Sequence, residues 1–163
     1  MNSSFSASSR RDFLRTAAAA AAATSLPAWF RAEAAEQVAA PAPGGEPLRF
    51  ALVGCGGQGT GDARNAQAFG KVVAVCDVDE GKLASARKTF AGAEGYGDFR
   101  KVMERKDVDA VICGTVDHWH VLVSMAAMQA GKDVYCEKPL TLTIDEGRRL
   151  VEVQRKTGRI LQT

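Results

Sequence analysis

The chain has 163 residues, 25% of them charged and 46% hydrophobic, with a formal net charge of +2; this is the make-up of one ordinary globular domain and not of a disordered chain. Its first 34 residues hold four of the 21 basic groups (Arg10, Arg11, Arg15, Arg31) and two of the 19 acidic ones (Asp12, Glu33), so the remainder carries 17 of each and is neutral. That balance argues against nucleic acid as a partner, and no stretch is long and apolar enough to span a bilayer.

The chain opens on Ser9-Arg10-Arg11-Asp12-Phe13-Leu14-Arg15, which resembles a twin-arginine export motif. An Ala-rich core from Thr16 to Leu26 follows, and Ala32-Glu33-Ala34 has the small-x-small form of a cleavage site. A positive region, an apolar core and a cut site in that order read as a removable targeting segment over 1–34. The protein is therefore expected to engage the twin-arginine export machinery and to be periplasmic or secreted. Residues 35–47 contain Pro41, Pro43, Gly44, Gly45 and Pro47 without periodicity, and read as a linker.

From residue 48 onward, strands alternate with helices. The first strand is expected over 48–53 and its helix over 57–69, the second strand over 71–77. Asp79 can cap a helix whose Leu83, Ala86 and Phe90 share a face. A Gly-rich connection spans 92–97, and Asp98 can cap a short helix with Phe99, Val102 and Met103 inward. A buried strand over 110–113, a helix over 120–130 stopped by Gly131, and a strand over 133–136 come next. Thr143-Ile144-Asp145-Glu146 has the form of a capping box. It opens a helix to about residue 156 with Ile144, Gly147, Leu150 and Val151 on one face. A last strand begins at 159–163. The alternation predicts an α/β fold of the Rossmann type, a doubly wound parallel sheet over 48–163. Ligands of such sheets bind beyond the C-terminal strand ends.

Several chemistry-bearing stretches fall on that edge. Gly54-Cys55-Gly56-Gly57-Gln58-Gly59 directly follows the first strand and fits the G-x-G-x-x-G turn of dinucleotide sites. Gly54 would permit the tight turn, Gly56 would let a pyrophosphate approach the backbone, and Gly59 would let the helix pack against the strand. Asp77 ends the second strand about 20 residues on, where an acid can accept ribose hydroxyls. A carboxylate there repels a 2′-phosphate, and Val78 offers no compensating charge, so NAD is expected over NADP. Thr115-Val116-Asp117-His118-Trp119-His120 leaves the fourth strand with both histidines of the chain. Two histidines at this spacing make no metal site by themselves, and no metal is expected. From composition alone this segment serves function and packing equally. Glu137-Lys138-Pro139 follows the fifth strand. Lys138 reads either as an active-edge lysine or as a solvated one pairing with Glu137. Cys55, Cys76, Cys113 and Cys136 form no C-x-x-C pair and read as small, buried, reduced thiols.

Taken together, the Gly54–Gly59 loop, Asp77, the Thr115–His120 segment and Glu137-Lys138-Pro139 resemble the N-terminal half of the Gfo/Idh/MocA family of oxidoreductases. Val116 stands where the family pattern has proline, while Asp117 and His120 keep their places. The resemblance implies that Gly54, Gly56, Gly57, Gln58, Gly59, Asp77, Thr115, Asp117, His120, Glu137 and Lys138 line the cofactor site. It also implies that Lys138 and His120 are catalytic, Lys138 beside the nicotinamide with His120 near it. The substrate would be a sugar or cyclitol and the full-length protein a homo-oligomer. The family's C-terminal substrate domain is expected to be missing from this chain, which alone would be inactive. Two other readings stand beside the dehydrogenase: a glycoside hydrolase of the same likeness that keeps NAD bound, and a non-catalytic nucleotide-binding module.

Overall fold

The computed structural model describes residues 46–163. The targeting segment, its cleavage site and nearly all of the linker lie outside the described residues. The order of elements is β1 (Leu48–Val53), α1 (Gly57–Ala66), β2 (Gly70–Cys76), α2 (Glu80–Thr89), β3 (Glu94–Tyr96), α3 (Phe99–Glu104) and β4 (Ala110–Cys113). A 3-10 turn (Asp117–Trp119), α4 (His120–Gln129), β5 (Asp133–Cys136), α5 (Ile144–Thr157) and β6 (Leu161–Gln162) complete it.

All strand pairs are parallel, in the order β3-β2-β1-β4-β5-β6. The order reverses between β1 and β4, and that switch point opens a crevice at the C-terminal strand ends. β1 lies at the centre and shows how the pleat sorts the core. Phe50 and Leu52 point to one face with Val72, Val75 and Ile112, under Ala63 of α1 and Ala86 and Phe90 of α2. Ala51 and Val53 point to the other, with Ala74, Val111 and Val134, under Val102, Ala127, Met128 and Leu150 of α3, α4 and α5. Successive side chains on a strand face opposite ways, so a strand covered on both sides must be apolar throughout. The pairing of β1 with β2 slips by one residue after Phe50, leaving Val73 unmatched. Beyond that bulge the register carries Val53 opposite Cys76, so both strands end level at the site.

The helix signals act as expected. Asp79 accepts the Lys82 N–H, Asp98 accepts the Arg100 N–H, and Thr143 with Glu146 forms the full capping box of α5. Gly158 ends α5 in the left-handed conformation at φ 63°. Two details differ from expectation. The Gly-rich connection contains β3, which extends the sheet. On α5 only Leu150 is buried, whereas Ile144 is 79% exposed and borders an apolar groove with Leu140, Val151 and Leu161. All four cysteines are buried and unpaired, as the sequence implied.

Candidate functional site

β1 feeds into Gly54, whose φ of +93° is accessible to glycine at little cost. Its N–H donates to the Cys76 carbonyl at 2.8 Å, binding the turn to the end of β2. A Cβ on Gly54 would sit 2.5 Å from the Gly114 and Thr115 backbone. One on Gly59 would sit 2.4 Å from the Gly54 carbonyl oxygen, and one on Gly114 would sit 2.4 Å from the Gly59 Cα. Gly54, Gly59 and Gly114 thus form a backbone-to-backbone junction between β1, α1 and β4. Gly114 is the member that the sequence motif alone did not single out.

Gly56 and Gly57 behave differently, since a Cβ on either would meet nothing within 4 Å. Gly56 precedes α1 without any side-chain cap, and the first turn of α1 carries no acid. The leading amides of α1 therefore have neither capping oxygen nor carboxylate to satisfy them, and they suit an anion. At the end of β2, Asp77 accepts the Cys55 N–H at 2.7 Å and the Asp79 N–H at 2.9 Å. Its carboxylate is thereby fixed beside the glycine turn, and each oxygen keeps a lone pair for a further donor. An open glycine turn, uncapped helix amides and an anchored carboxylate are what a dinucleotide requires, so the residues present fit that cofactor.

The remaining residues come from β4 and β5. Thr115 and Gly114 follow β4, and Glu137 and Lys138 follow β5. The Glu137 N–H donates to the Cys113 carbonyl at 3.0 Å, which aligns the two exits. The peptide between Lys138 and Pro139 is cis. Glu137 Oε2 accepts the backbone N–H of Lys138 at 3.2 Å, and Glu137 Oε1 accepts from Gln58 Nε2 at 3.3 Å. No ion pair links Lys138 to Glu137, and Lys138 Nζ has no hydrogen-bond partner among the described residues. Lys138 is thus exposed, as the solvated reading had it, but without the ion pair to Glu137.

His120 departs from expectation. It is 1% exposed, with Nδ1 at 2.7 Å from the Pro139 carbonyl oxygen and Nε2 at 3.1 Å from that of Thr115. A ring with both nitrogens engaged by backbone inside the protein has no free edge to offer a substrate. This geometry favours a clamp between the two loops over the catalytic role expected of His120. Asp117 opens the 3-10 turn, is exposed, and makes no side-chain hydrogen bond among the described residues. Val116 is exposed, and Trp119 packs edge-on against Phe99 with ring centroids 5.9 Å apart. Sequence reasoning also passed over Asp62 of α1, which meets Gln58 Nε2 at 3.1 Å. The Gln58–Asp62 spacing of four on a helix was the available signal.

Residues 48–163 match the family model for the Gfo/Idh/MocA oxidoreductases, described as an oxidoreductase family with an NAD-binding Rossmann fold. The chain belongs to this family. It carries the family's NAD-binding Rossmann domain, and residues 8–27 match the twin-arginine signal sequence, which directs export to the periplasm or beyond. Inositol 2-dehydrogenase of Salmonella paratyphi B is 35% identical over 116 residues, covering 69% of this chain and 34% of that protein. The chain thus spans about a third of the length of the curated relatives it matches. A probable dehydrogenase from Thermotoga maritima superposes with a TM-score of 0.68 at 32% identity, covering 71% of this chain and 35% of that one. The WlbA dehydrogenase of Chromobacterium violaceum, solved with NADH and UDP-GlcNAcA, gives 0.67 at 28% identity, covering 76% and 36%. These named relatives are dehydrogenases, and the glycoside hydrolase alternative is not favoured.

Proposed function

We propose that this chain is the cofactor half of an exported NAD-dependent dehydrogenase acting on a secondary hydroxyl of a cyclitol or sugar, with Lys138 as the catalytic residue. The observation that carries the reading is the state of Lys138. It leaves the C-terminal end of β5 exposed, with no side-chain hydrogen bond or ion pair to its Nζ among the described residues, while Glu137 is turned to Gln58 and to the Lys138 backbone N–H. The inositol dehydrogenase relatives favour a cyclitol.

In this reading the α1 amides around Gly56 and Gly57 hold the pyrophosphate. Asp77 accepts the ribose diol, which favours NAD over its 2′-phosphorylated form. The bound nicotinamide supplies the hydride acceptor. As the neutral amine, Lys138 Nζ accepts the O–H of the substrate hydroxyl and takes its proton as the carbinol C–H bond breaks. Thr115 and Asp117 border the same end, and His120 keeps their loop and the Glu-Lys-Pro segment together. The rest of the substrate pocket belongs to the length that the relatives have beyond this span. A homo-oligomer is part of the same reading, as are the division into a signal over 1–34, a linker over 35–47 and the Rossmann domain over 48–163.

The test is single-turnover reduction of bound NAD by inositol in the full-length protein. Lys138→Met is expected to leave NAD affinity nearly intact and to slow reduction by about 10²–10⁴-fold, the range of general acid–base catalysis. A rate within about threefold of wild type would make Lys138 structural.

A further inference from the structure

Two acids face each other at the site without a cation between them. Asp62 comes from α1 and Glu137 from the exit of β5. The Gln58 amide stands between them, one Nε2 offering its hydrogens to Asp62 Oδ1 at 3.1 Å and to Glu137 Oε1 at 3.3 Å. The other Asp62 oxygen, Oδ2, is buried and has no hydrogen-bond partner. A buried carboxylate oxygen with no donor is costly, and a neighbouring carboxylate makes it more so. Neither acid has an ion-pair partner among the described residues. A proton on Asp62 Oδ2 would resolve both problems, because the resulting O–H can donate to Glu137, the acid that shares the Gln58 amide with it, and one of two like charges is removed.

We infer that Asp62 is a positioning residue: its carboxyl keeps a proton that it donates to Glu137, so that Asp62 and Gln58 together hold the Glu-Lys-Pro segment, and with it Lys138, against the helix that follows the glycine turn. Burial, then the Glu137 charge, holds the Asp62 carboxyl above the ordinary aspartate range, with the Gln58 hydrogen bond acting the other way. The groups facing the pair are Tyr135 on β5, itself raised by burial and by both acids, and the buried Cys136 thiol beside Glu137. Neither supplies positive charge, and Lys138, next to Glu137, makes no ion pair with it. The sign follows directly. A carboxyl that binds its proton more tightly folded than unfolded stabilises the contact at low pH, and the contact is lost as pH rises through its raised value. Losing the proton also adds a negative charge on α1, the helix whose first amides face the pyrophosphate.

The inference rests on the reading of Lys138 given above, and two measurements separate the two. Carbon-13 NMR of labelled aspartate and glutamate carboxyls follows titration without any substrate, with Asp62 assigned by its absence in Asp62→Asn. The Asp62 signal is expected to titrate above the exposed aspartates, and to move down in Glu137→Gln. Titration among the exposed aspartates, or no response to Glu137→Gln, overturns the shared proton. In the full-length protein, Asp62→Ala is expected to lower kcat by up to about 10²-fold, the scale of a small misplacement of a catalytic group. Asp62→Asn, whose amide can still donate to Glu137, is expected to recover most of that loss, and to lack the fall in kcat at alkaline pH that release of the shared proton is expected to cause in wild type. Equal impairment of the two variants overturns the positioning role. If wild type binds no NAD, the dehydrogenase reading falls while the NMR result still decides the shared proton.

Discussion

A histidine beside a cofactor turn invites a catalytic role, and the geometry around His120 favours different work. Its ring spans 2.7 Å and 3.1 Å to two carbonyl oxygens from different loops. A neutral ring donates to one of them and a doubly protonated ring to both. His120→Ala is expected to strand those buried carbonyls and to cost roughly 1–3 kcal/mol, with His120→Gln recovering part of it. Urea midpoints of the three proteins check this. A kcat loss with an unchanged midpoint would restore the catalytic role. The sequence could not reveal this arrangement, because its two acceptors are backbone groups and one comes from 19 positions away. Asp77 was legible by contrast, since its place at the end of β2 follows from strand length and spacing alone. Asp62 was legible only as a helix residue facing Gln58. Its other neighbour, Glu137, lies 79 positions beyond Gln58, a separation at which periodicity says nothing.

At the scale of elements, the G-x-G-x-x-G turn divides into two kinds of glycine. Gly54 and Gly59 are needed by the fold, because their missing Cβ atoms leave room for neighbouring backbone. Gly56 has open space and an ordinary extended conformation, φ −67° and ψ 179°. Two alanine substitutions should therefore fail differently. Gly59→Ala is expected to destabilise by roughly 1–3 kcal/mol through overpacking. Gly56→Ala is expected to keep the thermal midpoint and weaken NAD binding by about tenfold or more, the scale of one lost charge-assisted hydrogen bond. Calorimetric melts and NAD titrations of both variants check the split. Equal effects on stability would mean that the turn relaxes as a unit. The strands and most helix boundaries were legible because the caps are side chains with clear chemistry, such as Asp79, Asp98 and Thr143 with Glu146. β3 was not. It has three residues, Gly95 is its centre, and pairing to β2 rather than its own pattern makes it a strand.

Over the whole molecule, the alternation from residue 48 onward indicated the parallel sheet, while strand order waited on the structure. The four thiols illustrate what burial adds. Burial pushes Cys55 and Cys76 up to about 12, and Cys113 sits level with Cys136 across β4 and β5 inside the core. In the native protein none of the four is expected to react with a thiol-specific reagent within minutes, and all four should react after denaturation. Fast labelling of the folded protein would contradict the buried arrangement. The twin-arginine signal at residues 8–27 sends this chain towards a compartment where thiols are oxidised. A chain that arrives folded presents no sulfur to solvent. One that arrives unfolded presents four, with three fully paired connectivities open to it and none of them native. The absence or presence of disulfides in the exported protein is then a chemical memory of chronology: it records, molecule by molecule, whether the sheet closed before or after the crossing.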